Sequence, residues 1–333
     1  MNVATRWHYY RRIFRAYIGS GRSQLTFWHE APEINPRASA GRLGEYYMLF
    51  HEKADYAGHY DAAGIPMLDY HGVIGLQYNP IAIAQWGLAN DNRFCQTSDD
   101  DRWQKTLKAA DWLAANLEQN SHGLWVWNHH FDWDYRDTLK APWYSGLAQG
   151  QGVSLLLRAH AHAHTDDEKY QRAADKAFVA LTRPIAEGGV LFEDEEKNLW
   201  IEEYIVDPPT HILNGFIWAL WGVLDFWLAR ADTSAKEIFD RGAETLIHNL
   251  DRFDTGYWSL YEQSGRGQSR PGLKMLASPF YHQLHIVQLR VMSKLTGDAR
   301  FAVIAERWEG YARRRSNRTR ALVEKSVFKL LHY

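Results

Sequence analysis

The chain has 333 residues, 46% of them hydrophobic, and a formal net charge of −2: enough apolar material for one large core, and no bulk attraction to nucleic acid or anionic lipid. A single cysteine, Cys95, excludes an internal disulfide framework and any Cys-based zinc site, and no window approaches the ~18 apolar residues that a membrane span needs. Fifteen Trp within 14% aromatic residues is a heavy load; rings with polar tips suit both a core of packed helices and a surface that meets the C–H faces and hydroxyl edges of sugars.

The first residues, "MNVATRWHYYRRIFRAYI", are basic and aromatic without the apolar stretch of a signal peptide, so a cytoplasmic setting without membrane association is expected. Residues 1–77 are rich in Tyr, Gly and His and read as an irregular or β extension. From residue 78 onward the punctuation repeats. Mostly apolar helices are expected to open at Pro80, Gly146, Gly215 and Pro279, spaced 66, 69 and 64 residues apart. Amphipathic helices follow, signalled by Ser98-x-x-Asp101, Thr165-x-x-Glu168 and Ser234-x-x-Glu237 in capping-box form, and by Asp298. Short strands are expected after Gly123, Gly189 and Gly256. Neither helix of such a pair can bury its face alone, so pairs stack. The predicted fold is mainly α, an incomplete α/α toroid of about four helical hairpins over 78–333 with short β excursions, preceded by the 1–77 extension.

In a toroid the inner helices run parallel, so the residues before each one meet at one end. These are Tyr78 and Asn79; Trp143, Tyr144 and Ser145; His211 and Asn214; and Tyr281, His282 and His285. Free N–H groups and the positive dipole end favour an anionic ligand there, although Asn and Ser also serve simply as caps.

Three other clusters carry weaker chemistry. "FEDEEKNLWIEEY" supplies a dense run of carboxylates that glycoside hydrolysis could use, but such a run is more often a solvated hairpin; Glu203, beside Tyr204, is its best substrate contact. "HAHAH" (His160, His162, His164) ends a helix, and "NHHFDWDY" holds His129, His130, Asp132 and Asp134 in a loop; no metal or cofactor is expected from either. The basic run "RRRSNRTR" reads as a solvated face.

Four segments, "LDYHGVIGLQYNPIAIAQWGL", "WYSGLAQGQGVSLLLRAH", "EEYIVDPPTHILNGFIWALWGVLDF" and "YHQLHIVQLRVMSKLTGDARFAVIAERWEGY", resemble the C-terminal domain of D-glucuronyl C5-epimerases, which convert glucuronic to iduronic acid within heparosan-type chains. The likeness runs over about residues 40–311. It implies a toroid-like helical body, a uronic-acid polysaccharide as substrate, no cofactor, and a homodimer. By motif it implies catalytic roles for Tyr204 of "EEY", Tyr261 of "SLYEQS" and Tyr281 of "YHQLH". Around these, Glu203, His285, Asn214, His282, Tyr78, Tyr144, Gln149 and Arg266 are expected to bind substrate. The family's animal members carry arginines where this chain has Ser264 and Ser278, so Arg266, Arg270 or Lys274 would have to stand in.

The chemistry suits tyrosine. Inverting C5 removes a proton alpha to a carboxylate and returns one to the opposite face, which calls for a base and an acid on opposite sides and for stabilisation of the growing negative charge. A phenol of pKa ~10 can serve either role. A polysaccharide lyase shares the first step and then expels the 4-linked sugar; a non-catalytic glycan-binding protein would share only the surface.

Overall fold

The computed structural model describes residues 26–135, 138–163, 168–263 and 274–332. Four inner helices, α1 (Pro80–Thr97), α3 (Gly146–Ala163), α5 (Leu213–Arg230) and α7 (Pro279–Thr296), alternate with four outer ones, α2 (Asp100–Ala115), α4 (Lys169–Phe178), α6 (Thr233–Asn249) and α8 (Ala299–Arg313). A ninth, α9 (Arg315–His332), follows. The inner helices are buried nearly all round: every residue of α1 from Pro80 to Asn92 is buried. The outer helices are one-sided; α4 buries Tyr170, Ala173, Ala174, Ala177 and Phe178, a single helical stripe. Each inner helix packs against its own outer partner and against the next inner helix.

The inner helices are parallel. Gln85 and Gln151, each six residues into its helix, share a hydrogen bond of 3.0 Å, and Arg158 of α3 meets Asp225 of α5 at the same level. α3 and α5 come closest through small residues. A Cβ on Gly222 would sit 2.2 Å from the Gly150 carbonyl oxygen, so a glycine is required at that crossing.

The helix starts differ from the sequence reading in detail. α5 begins at Leu213, two residues before Gly215. Asp99 and Asp232, rather than Ser98 and Ser234, cap α2 and α6, while Ser98 closes α1 in the left-handed region at φ 53°. A carboxylate at the cap both accepts the free N–H and meets the positive helix end. Asp298 caps α8 as expected; Thr165 lies outside the described residues. The excursions are two-residue and three-residue strands in antiparallel pairs: β4 (Glu118–Gln119) with β5 (Trp125–Val126), β6 (Asn128–His129) with β9 (Trp143–Tyr144), β7 (Trp133–Asp134) with β8 (Thr138–Leu139), and β10 (Leu191–Glu193) with β11 (Leu199–Ile201). Among the described residues, the third expected excursion, after Gly256, forms isolated bridges, Asp254 with Ser259 and Leu260 with Leu276.

Residues 26–77 hold a helical turn (His51–Ala54) and a sheet of β1 (His59–Tyr60), β2 (Pro66–Asp69) and β3 (Leu76–Gln77). They span from the first inner helix to the last. Asn92 of α1 accepts from the Tyr46 N–H and donates to the Met48 carbonyl, and Lys294 of α7 donates to the Ala38 carbonyl. Phe27, Tyr46, Tyr47, Met48 and Phe50 share one hydrophobic core with Trp86, Trp221 and Trp308. Inside it, Arg158 makes a bidentate pair with Asp225 at 2.6 and 3.0 Å, and the Tyr47 hydroxyl donates to Asp225 at 2.7 Å. Among the described residues six tryptophans are fully buried, so much of the aromatic load is structural. No helix among the described residues is long and apolar enough to cross a membrane.

Candidate active site

At the N-terminal end of the inner helices a second, small hydrophobic cluster forms. Its buried members are Tyr135, Ile212 and Tyr261, and Trp133, Tyr204, Met275 and Tyr281 pack against it half-buried. The three tyrosines from distant segments therefore meet. Tyr204 follows β11, in the stretch that leads to α5. Tyr261 lies on the segment after α6, where its N–H donates to Met275 and its carbonyl accepts from Leu213. Tyr281 is the third residue of α7, its N–H taken by the Ser278 hydroxyl at 3.2 Å. The rings of Tyr261 and Tyr281 lie edge to face at 4.9 Å. Tyr204 has Tyr135 at 4.8 Å and Trp143 at 5.6 Å, and it couples electrostatically to Tyr281 and Tyr70.

Glu203 is buried beside Tyr204. Its carboxylate lies over the start of α5, where a Cβ on Gly215 would stand 2.0 Å from Oε2 and the Asn214 amide is 3.5 Å away. Loss of water pushes this carboxyl up to about 8, the neighbouring Glu202 adds to the rise, and a hydrogen bond from Tyr204 opposes it. Burial, and then the Glu203 charge, raise Tyr204 well above the usual phenol value, so it is held as a protonated donor. Glu202, one residue earlier, faces away and binds the His211 ring at 2.5 Å. A cation stands near Tyr261: buried Lys325 of α9 places Nζ 5.9 Å from the ring centroid while donating to the Leu276 carbonyl at 2.5 Å.

The histidines of the α7 start are a support layer. His282 stacks on Trp258 at 3.8 Å, meets Ser259 through Nδ1 and donates from Nε2 to the Trp308 carbonyl at 3.0 Å. His285 reaches the Ser259 hydroxyl at 3.0 Å through Nδ1, and its buried Nε2 has no partner. Burial drives both down, His282 to about 4, so both are neutral.

Other expected contacts are not brought to the cluster. Gln149 is spent inside the body, accepting from the Trp127 N–H at 2.9 Å and donating to the Ala177 carbonyl at 3.0 Å. Tyr144 points opposite to Trp143, as strand neighbours must, and donates to the Gly188 carbonyl at 2.9 Å. Tyr78 is exposed, lies tilted against Trp112 of an outer helix and donates to Asp61. The helix ends at α1 and α7 are closed by their own caps, Asn79 and Ser278, because each side chain already accepts the free N–H groups. Arg266, Arg270 and Ser264 lie outside the described residues, and Lys274 is exposed. The carboxylate run divides: Glu193, Glu195 and Glu196 are exposed, with Glu193 paired to Arg241 and Glu196 to Arg252, whereas Asp194, Glu202 and Glu203 are buried. In "NHHFDWDY", Asp132 binds Lys140 and His130 faces Glu118, so the four groups do not converge.

Sequence reasoning missed Tyr135, Trp133 and Tyr70. Phe131, Trp133 and Tyr135 alternate, so they share one face of an extended segment, a signal present in the sequence. Tyr70 lies 4.7 Å from Phe131 and 5.6 Å from Trp133, its hydroxyl held by Asn79 at 2.7 Å. A narrow cavity of about 20 Å³ runs beside Tyr281, lined by Gln85, Trp218, Leu284, Phe50 and Lys53. That is room for water and not for a sugar ring, so residues 27–53 close this side of the axis.

A family model described as D-glucuronyl C5-epimerase C-terminus matches residues 119–310. The D-glucuronyl C5-epimerase of Caenorhabditis elegans is 33% identical over 217 residues, 61% of this chain and 34% of that protein. An uncharacterized protein of Methanocaldococcus jannaschii is 26% identical over 205 residues, 61% of this chain and 63% of its own length. The matches thus cover about a third of the first relative and less than two thirds of the second. Among solved structures, one described as UGL with dGlcA-Glc-Rha-Glc superposes with a TM-score of 0.47 at 15% identity, over 69% of this chain and 61% of that one.

Proposed function

Because this chain belongs to the D-glucuronyl C5-epimerase C-terminus family, we propose that it inverts C5 of D-glucuronic acid residues within a heparosan-like polysaccharide, giving L-iduronic acid. The observation that carries this reading is the meeting of Tyr204, Tyr261 and Tyr281 in one aromatic cluster beside a buried carboxyl.

In this mechanism Tyr261 is the base, because the Lys325 cation over its ring favours the phenolate. It takes the C5 proton as negative charge spreads into the uronate carboxylate. Tyr204, held protonated, donates to the opposite face and is left as phenolate. Glu203, neutral near pH 7, then returns a proton to it and is itself reprotonated from solvent as Tyr261 gives up the proton it took. Tyr281 hydrogen-bonds the developing charge. Running the steps backwards exchanges the acid and base, so the reaction is reversible. Trp143, Trp133 and Tyr135 offer ring faces to the sugar C–H groups.

The test is NMR of heparosan incubated with the protein in deuterated water. Deuterium at C5 with iduronate signals and intact chains is the expected outcome. An unsaturated product would mean elimination, new reducing ends hydrolysis, and tight binding without exchange a non-catalytic role; each refutes the proposal.

A further inference from the structure

Far from the tyrosines, at the C-terminal ends of α1 and α3, three side chains of different chemistry converge. Asp91 and Cys95 lie one turn apart on α1, and His162 comes from α3. One donor atom from each falls within 4.8 Å of the others. His162 Nδ1 is 2.8 Å from Asp91 Oδ1, and Cys95 Sγ is 3.9 Å from Nδ1 and 4.0 Å from Nε2. Asp91 is fully buried, and its second oxygen, Oδ2, has no hydrogen-bond partner. The cluster lies about 18 Å along α1 from the Asn79 cap, so uronate chemistry at the tyrosines does not use it.

We propose that Asp91, Cys95 and His162 form a binding site for a borderline-soft divalent cation of the Zn²⁺ class. Bond lengths of ~2.0–2.3 Å to N, O and S set tetrahedral edges of roughly 3.3–3.7 Å, and the observed 2.8 and 3.9 Å bracket these. Carboxylate and thiolate together balance a charge of +2, and the idle Asp91 oxygen gains a partner. As the metal binds, two protons leave to solvent, the thiol proton of Cys95 and the Nδ1 proton that His162 shares with Asp91. Three protein ligands leave a fourth position for water, and His162, 25% exposed at its side chain, marks the path from solvent. A single cysteine excludes thiolate-rich sites, and this mixed set departs from the expectation from composition because it needs only one thiolate. A Cys–His–Asp nucleophile fits less well. That arrangement places acid and thiol on opposite ring nitrogens, whereas here Sγ is nearly equidistant from both. The cation would clip the first two inner helices together at the end remote from the active site.

The full chain, treated with chelator and reductant, is titrated with Co²⁺ alone. The expected result is one Co²⁺ per chain with a thiolate-to-metal charge-transfer band, absent in Cys95→Ser and with affinity at least ~10-fold weaker in Asp91→Asn and His162→Gln. In wild-type protein, Zn²⁺ should slow alkylation of Cys95 at least tenfold; the lone cysteine makes that readout unambiguous even if a variant fails to fold. The absence of the band at stoichiometric Co²⁺, its persistence in Cys95→Ser, or alkylation equally fast with and without Zn²⁺ would overturn the proposal. The last outcome would identify a reactive thiol instead.

Discussion

Replacing Glu203 by Gln tests the electrostatics of the site through stability. The carboxyl is ionised near pH 4.5 in the unfolded chain and only near pH 8 in the folded one. Between these values the native state holds a proton that the unfolded state has lost, so native stability falls as pH rises through this window. Each pH unit of displacement is worth about 1.4 kcal/mol, which puts the full penalty on the order of 4–5 kcal/mol by pH 9. Glutamine keeps the shape over Gly215 and an acceptor for Tyr204, but does not ionise. Glu203→Gln should therefore match the wild type at pH 5 and exceed it by about 4 kcal/mol at pH 9, a rise in Tm of several degrees. Urea unfolding of both proteins from pH 5 to 9 measures this. Because other titrating groups cancel in the difference, parallel stability curves across the range would refute the assignment of a dry, uncompensated carboxyl.

Tyr204→Phe and Tyr261→Phe should each cut C5 deuterium exchange by ~100-fold or more while leaving the melting curve nearly unchanged; near-full exchange in either would remove that residue from the mechanism. Lys325→Met should move the ascending, acid-side limb of the exchange profile to higher pH by raising Tyr261, and an unmoved limb would deny the cation that role. Gly222→Ala pushes a methyl into the Gly150 backbone, 2.2 Å from its oxygen, and should lower stability by ~1–3 kcal/mol in urea. His282, neutral in the fold down to pH about 4, contributes stability that is present above ~6.5 and lost as pH falls from there through about 4. His282→Gln should flatten the acid limb of the stability curve. Arg158→Met leaves Asp225 buried without its cation and should cost ~3–5 kcal/mol, read as a drop in the denaturation midpoint.

The sequence by itself determined the hairpin repeat, because apolar runs, caps and glycines act over a few residues and recur at a readable period. It also carried the tyrosine triad, but only through motif resemblance: Tyr204, Tyr261 and Tyr281 lie 57 and 20 residues apart, and no local rule brings them together. The stack of parallel helices does that, by setting four chain segments side by side at one end. Side-chain direction was the level at which local reading failed. Gln149 turned inward to close a β excursion onto α3, Tyr144 turned away because strand neighbours alternate, and Tyr78 found Asp61. Cys95 looked inert as a lone cysteine, and His162 looked like a helix end. Only the packing of α1 on α3 set them beside buried Asp91, because the distance between donor atoms on two helices is fixed by how those helices pack and not by either sequence alone.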